Sequence, residues 1–190
     1  MITPGRRNVR SSVLVVLGVL FSVLPAAAQW KDWDYELDQE KRPWEELQTQ
    51  LPSYPKPENL LNFDIGSNTS NRYFVDAASI SVSEDGVVRY TLVINTGGGA
   101  TNVSFEGIRC ESRQIRVYAF GHPKSQWSRA RNAGWRDIEP REINGYHYAL
   151  YRDYYCTSGS SFISRRKFAA PLKQIIATLK SGPRSTTVED

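Results

Sequence analysis

Residues 73–95 read YFVDAASISV, SEDG, VVRYTLVIN. Two runs rich in β-branched and aromatic residues suit a pleated surface, and Glu84, Asp85 and Gly86 separate them as a turn in which Gly86 takes positive φ. Between Val87 and Asn95, Val88, Tyr90, Leu92 and Ile94 fall on one face while Arg89 and Thr91 fall on the other. The pattern predicts an antiparallel hairpin with one core face and one wet face.

Beyond the hairpin, Gly97, Gly98 and Gly99 predict a mobile loop, followed by strands at 103–110 and 114–120. Tyr146 to Tyr155 predicts a further strand, which brings Cys156 towards Cys110 across the sheet. The polar, arginine-rich segment from Trp127 to Glu142 reads as a loop with one helical turn at most. Leu172, Ile175, Ile176 and Leu179 recur at helical spacing after Pro171, and Gly182 with Pro183 stops the run. The expected fold is therefore α+β: a single antiparallel sheet of about five strands packed by a C-terminal amphipathic helix.

The first residues carry Arg6, Arg7 and Arg10, an apolar run from Val13 to Leu24, and then Ala26, Ala27 and Ala28. This three-part order is that of a secretory signal peptide, and its core falls short of the roughly 20 apolar residues that span a bilayer. Cleavage before Gln29 is expected, with no transmembrane segment left in the mature chain. Removing three arginines lowers the basic count from 24 to 21 against 20 acids, so the precursor's basicity is no argument for nucleic acid. An asymmetry remains, because 29–58 holds eight acids and four bases while 59–190 holds twelve acids and seventeen bases. Pro43, Pro52, Pro55 and Pro57 exclude a long helix or central strand there. The expected organisation is a signal peptide at 1–28, an acidic Trp/Pro-rich arm at 29–58, a globular domain at 59–182 and a flexible tail at 183–190. Trp30, Trp33, Tyr35 and Trp44 either dock the arm on the body or form a partner-binding segment. Export places Cys110 and Cys156 where disulfides persist, and the alternative is two buried free thiols.

The strings at 51–61 (LPSYPKPENLL), 71–79 (NRYFVDAAS), 85–93 (DGVVRYTLV), 106–110 (EGIRC) and 151–156 (YRDYYC) resemble the cryptic neisserial protein family in that order. The resemblance implies a proteobacterial envelope protein without an assigned activity, located in the periplasm or at the outer membrane. It supplies no catalytic or ligand residues beyond Cys110 and Cys156 as paired cysteines.

Chemistry-bearing residues are sparse. His122 and His147 are not at metal-ligand spacing, so no metal or other cofactor is expected, and His122 before Pro123 reads as a turn residue. His147 on a strand lies about 20 Å from Asp153 at roughly 3.3 Å per residue, so an acid–base role needs a partner from another strand. No Gly-x-Ser-x-Gly elbow or phosphate loop occurs. What remains is arginine with aromatics, centred on Arg129, Arg131, Arg136, Trp127 and Trp135. Guanidinium forks bind carboxylate and phosphate and stack on rings, so the expected partner is an anionic envelope ligand or another envelope protein. The sequence-level reading is a non-enzymatic binding or structural protein, with a periplasmic hydrolase using His147 as the alternative.

Overall fold

The structure is a computed structural model, and it describes residues 43–66, 69–131, 133–140, 145–158 and 167–183. The expected signal peptide, its cleavage position, Trp30, Trp33, Tyr35 and the tail from Ser185 lie outside these residues. The chain divides after Pro43 into two units, and the sheet and helices belong to the unit that begins at Trp44.

After a 3-10 turn at Pro57–Asn59, the chain lays down β1 (Leu60–Phe63), β2 (Arg72–Val82), β3 (Val87–Asn95), β4 (Thr101–Arg109), β5 (Gln114–His122) and β6 (Gln126–Arg129) as successive antiparallel neighbours. The two-residue β7 (Arg136–Asp137) returns to pair with the start of β5, while β6 pairs with its end. Among the described residues the main sheet is thus richer in strands than the expected five. Beyond it come α1 (Tyr146–Ala149), a π-helix (Leu150–Tyr155), the small hairpin β8 (Cys156–Ser158) with β9 (Lys167–Ala169), and α2 (Leu172–Ser181).

The central hairpin follows its sequence: Gly86 sits at φ +74°, its N–H bonds to the carbonyl of Ser83 at 3.0 Å, and Val88, Tyr90 and Leu92 are buried. The Gly97–Gly99 stretch is a closed turn, with Gly99 N–H on the Thr96 carbonyl at 2.9 Å and Gly97 N–H on the Asn71 side chain at 3.0 Å.

Three expectations change. Tyr146–Tyr155 is helical, because YHYALYRDYY satisfies the 3.6-residue period as well as the 2-residue one. Leu150 and Tyr154, and His147 with Tyr155, fall on the buried side. Tertiary packing then outweighs the weak strand preference of tyrosine. The segment at 127–142 contributes β6 and β7, whose polar side chains stay outward while their backbones satisfy the open edge of β5. The second sheet face is not wet: Arg89 and Thr91 are 3% and 0% exposed.

The inner face packs Val75, Val88, Tyr90, Ile108 and Ile115 against Leu150, Tyr155, Ile175 and Leu179. Cys110, just past β4, is bonded to Cys156 at the start of β8, with Cα atoms 5.6 Å apart. The helix expected at the C-terminus is present, buried through Ile175 and Leu179.

The outer face is covered by an extended strap, the segment from Trp44 to Tyr54. Trp44 donates its indole N–H to the carbonyl of Asp85 at 2.8 Å, Trp127 donates to the carbonyl of Pro52 at 3.0 Å, and the Tyr54 ring lies 5.4 Å from Trp127. Glu46 is the strap's anchor. Its carboxylate accepts from Arg116, from Tyr118 Oη at 2.7 Å and from Trp135 Nε1 at 3.0 Å. Glu46→Ala leaves these part-buried donors without that acceptor, so a loss of about 2 kcal/mol is expected. It is measured by urea unfolding, together with a red-shifted tryptophan emission. A change within about 0.5 kcal/mol, the scatter of ordinary surface substitutions, would show that Glu46 does not hold the strap.

Candidate functional site

Among the described residues the inner face is covered at one end only. Val88, Tyr90, Ile108 and Ile115 have no exposure, whereas further along the same face Ile94 is half-buried, Asn102 is exposed and Phe120 is 48% exposed. Strand pairing sets these side by side, with Tyr90 opposite Glu106, Leu92 opposite Ser104, Ile94 opposite Asn102 and Ser104 opposite Phe120. The inward positions of β4 therefore run Asn102, Ser104, Glu106, Ile108, from polar at the open end to apolar under the helices. The uncovered end forms a cleft of about 560 Å³, walled by Tyr146 and His147 and also lined by Arg136.

Its floor is a buried polar network. Glu106 is 3% exposed and His147 1% exposed, and His147 sits on α1 and not on the expected strand. His147 Nε2 lies 2.9 Å from Glu106 Oε2, the Tyr90 hydroxyl donates to the same oxygen at 2.9 Å, and the Ser104 hydroxyl donates to Oε1 at 2.6 Å. Burial pushes the Glu106 carboxyl up, but the charge and hydrogen bond of His147 and the two hydroxyl donors outweigh it, leaving the group below its ordinary range. An ionised carboxylate only accepts, so Nε2 of His147 carries the proton of that bond. Tyr155 packs its ring edge-on to Tyr90 with centroids 4.9 Å apart. Burial, and secondarily the Glu106 charge, push its phenol well above the usual value. The Tyr155 hydroxyl has no hydrogen-bond partner among the described residues.

Glu106 is the partner from another strand that sequence reasoning required and did not find. The available signal was a glutamate at an inward-facing position of a strand, two residues from an inward serine. Asp153, the sequence neighbour of His147, instead pairs with Arg152 at 2.6 Å.

The structure separates the expected arginine and tryptophan surface. Arg136 belongs to the inner cleft, where its Nη2 is 3.5 Å from His147 Nδ1. Arg129 lies instead on an outer groove of about 450 Å³ with Arg116, Tyr118 and Glu46 to Thr49. Arg131 is exposed. The Trp127 and Trp135 indoles serve the strap through Pro52 and Glu46. Cys110 and Cys156 form the disulfide. His122 ends β5 and meets the Ser128 hydroxyl at 2.6 Å. Among the described residues no group of three or more His, Cys, Asp or Glu converges on a metal position, and no helix is long and apolar enough to cross a membrane.

The carboxylates give the fold a defined acid response. The Asp85 side chain is 1% exposed; burial pushes its carboxyl up, but the hydrogen bond from Arg89 and those from the Leu47 and Val87 amides bring it below its ordinary 3.8. Glu106 is likewise below its ordinary 4.5. Both folded pKa values being depressed, their stabilisation is fully present above the unfolded values and is lost as pH falls through the folded ones. Asp76, raised by burial despite hydrogen bonds from Ala78 and Ser79, opposes them in part. Urea unfolding at stepped pH should show stability falling below about pH 4.5, and a flat or rising profile towards about pH 3 would contradict this sign.

A model of the CNP1-like family matches residues 39–175. Cryptic neisserial protein 1 of Neisseria gonorrhoeae (strain ATCC 700825 / FA 1090) is 29% identical over 112 residues, covering 51% of this chain and 55% of the relative. The chain thus spans about half the length of the relative it matches. No solved structure matches the chain. The family match takes in the strap from Trp44, all strands of the main sheet, the disulfide and the start of α2, and on that basis the chain belongs to the CNP1-like family.

Proposed function

We propose that the protein is exported, loses residues 1–28, and acts in the periplasm or at the outer membrane as a non-enzymatic binding protein whose contact region is the inner-face cleft. The leader composition supports export, as does a disulfide that an oxidising compartment would maintain. The observation that carries the binding role is the cleft itself. A half-covered sheet face with a polar, hydrogen-bonded floor, exposed Phe120 and lining Arg136 offers a concave surface with few, fixed polar groups, as ligand sites do. The occupant is an anionic ligand of the envelope, met by the Arg136 guanidinium.

Retention of the purified protein on washed envelope fractions tests this. Arg136→Ala should weaken retention several-fold with unchanged circular dichroism, while Arg129→Ala with Arg131→Ala should leave it intact. Retention indifferent to Arg136 would sink the cleft reading, and loss in the Arg129/Arg131 variant alone would transfer the role to the outer face or to another envelope protein docking there.

The hydrolase alternative draws on one observation, the buried His147–Glu106 pair bordering the cleft. It requires ester or amide hydrolysis by the intact protein that His147→Gln abolishes. Undiminished turnover in that variant would eliminate it.

A further inference from the structure

We propose that the cleft receives an acidic saccharide, with one sugar ring lying flat on Phe120, its hydroxyls on Asn102 and Ser104, and its carboxylate on Arg136. This rests on the cleft being the binding region and goes further by naming the chemistry of the occupant.

Phe120 is the first argument. Leu47, Phe120, Phe168 and Leu172 are the large apolar side chains exposed among the described residues, and of these Phe120 alone lines the cleft. A ring presented to solvent at the open end of this face is a platform, and its negative π face attracts C–H groups that carry slight positive charge.

The neighbours of Phe120 exclude a purely apolar occupant. Ser104 is its cross-strand partner, so their Cβ atoms lie about 5 Å apart, and Asn102 follows two residues along the same face, roughly 7 Å further. Asn102 is exposed, and its amide offers two donors and an acceptor. The Ser104 hydroxyl spends its proton on Glu106 and keeps lone pairs for a donor above it. An apolar ligand would strip water from these groups and return no hydrogen bonds. A bare inorganic anion would use Arg136 and leave Phe120 uncovered.

A pyranose combines what this surface asks for: one face of axial C–H groups and an edge of neighbouring hydroxyls that both donate and accept. The acidic substituent follows from Arg136, which lines the same cleft. A guanidinium carries five N–H donors in a planar fork, and that fork matches a carboxylate. Glu106 also lines the cleft, and its buried charge is offset in part by the donors of His147, Tyr90 and Ser104 and by Arg136 on the same cleft. Tyr146, braced against the Tyr73 ring with centroids 5.6 Å apart, forms a rigid wall on the other side.

The test uses the isotopically labelled full protein, with a glucuronic-acid-containing disaccharide and glucose disaccharide as probes. Amide shifts should cluster at Asn102, Ser104, Phe120 and Tyr146, and the acidic sugar should bind about tenfold more tightly, as one charge-assisted hydrogen bond allows. Phe120→Ala should abolish binding of both sugars and Phe120→Tyr should retain it. Arg136→Ala should remove only the preference for the acid. No shift with either sugar, while envelope retention still depends on Arg136, would overturn the saccharide assignment and leave the cleft reading standing. Binding that survives Phe120→Ala, or shifts on the outer face instead, would overturn it too. Loss of retention dependence on Arg136 is a failure of the underlying reading, seen separately.

Discussion

Replacing Glu106 with alanine is expected to destabilise the fold by about 3–5 kcal/mol, because it removes one member of a buried charged network and leaves the others in place. The carboxylate is 3% exposed and accepts from Tyr90 and Ser104 and pairs with His147. Without it, a buried hydroxyl and a buried imidazole N–H face each other across a cavity, and each unmet donor carries its own desolvation cost. Glu106→Gln should cost less, about 1–3 kcal/mol, since one amide oxygen still accepts while the NH₂ group meets a donor. Tyr90→Phe, which removes a single bond, should cost about 1 kcal/mol, and most of that cost should vanish in the Glu106→Ala background. Urea midpoints for the three singles and the double measure all of this. Additive losses would mean that Tyr90 and Glu106 are not coupled.

The second large effect concerns the disulfide. Cys110 and Cys156 are 46 residues apart, and opening a loop of that length frees about 4 kcal/mol of unfolded-chain entropy. The Cys110→Ser, Cys156→Ser double variant should therefore lose most of that amount, out of a total that for a domain of this size is on the order of 5–15 kcal/mol. The bridge joins the end of β4 to the residue that closes the π-helix, and so fixes the helix carrying His147 against the strand carrying Glu106. Weakened retention on envelope fractions in the double variant, at a temperature where it remains folded, is the second expected readout. Equal stability with and without a reducing agent would contradict the first expectation.

The parts legible in the sequence are those in which one period dominates. Val87–Asn95 alternates cleanly and ends at turn residues, and Leu172, Ile175, Ile176 and Leu179 fit only a helix. YHYALYRDYY fits both periods, so its structure depends on what it packs against. The strands β1, β6 and β7, of four, four and two residues, are too short to carry a periodic signal and exist because a neighbour offers an edge. The prolines made the strap readable as extended, yet nothing in Glu46 itself announces Arg116, Tyr118 and Trp135 as its partners. For the same reason Glu106 passed unnoticed: a carboxylate becomes a site residue only when distant segments enclose it, and here His147 is 41 positions away.

The strap also bears on the order in which the molecule can assemble. Glu46 closes on Arg116, Tyr118 and Trp135 across 70, 72 and 89 positions, so although Trp44 and Leu47 can meet Asp85 earlier, the Glu46 anchor cannot form until β5 and Trp135 are in place. Such distant closures slow folding, because chain entropy is lost before the contact forms. Until then Tyr118 lacks its Glu46 acceptor, so docking of this part of the strap is expected late in folding.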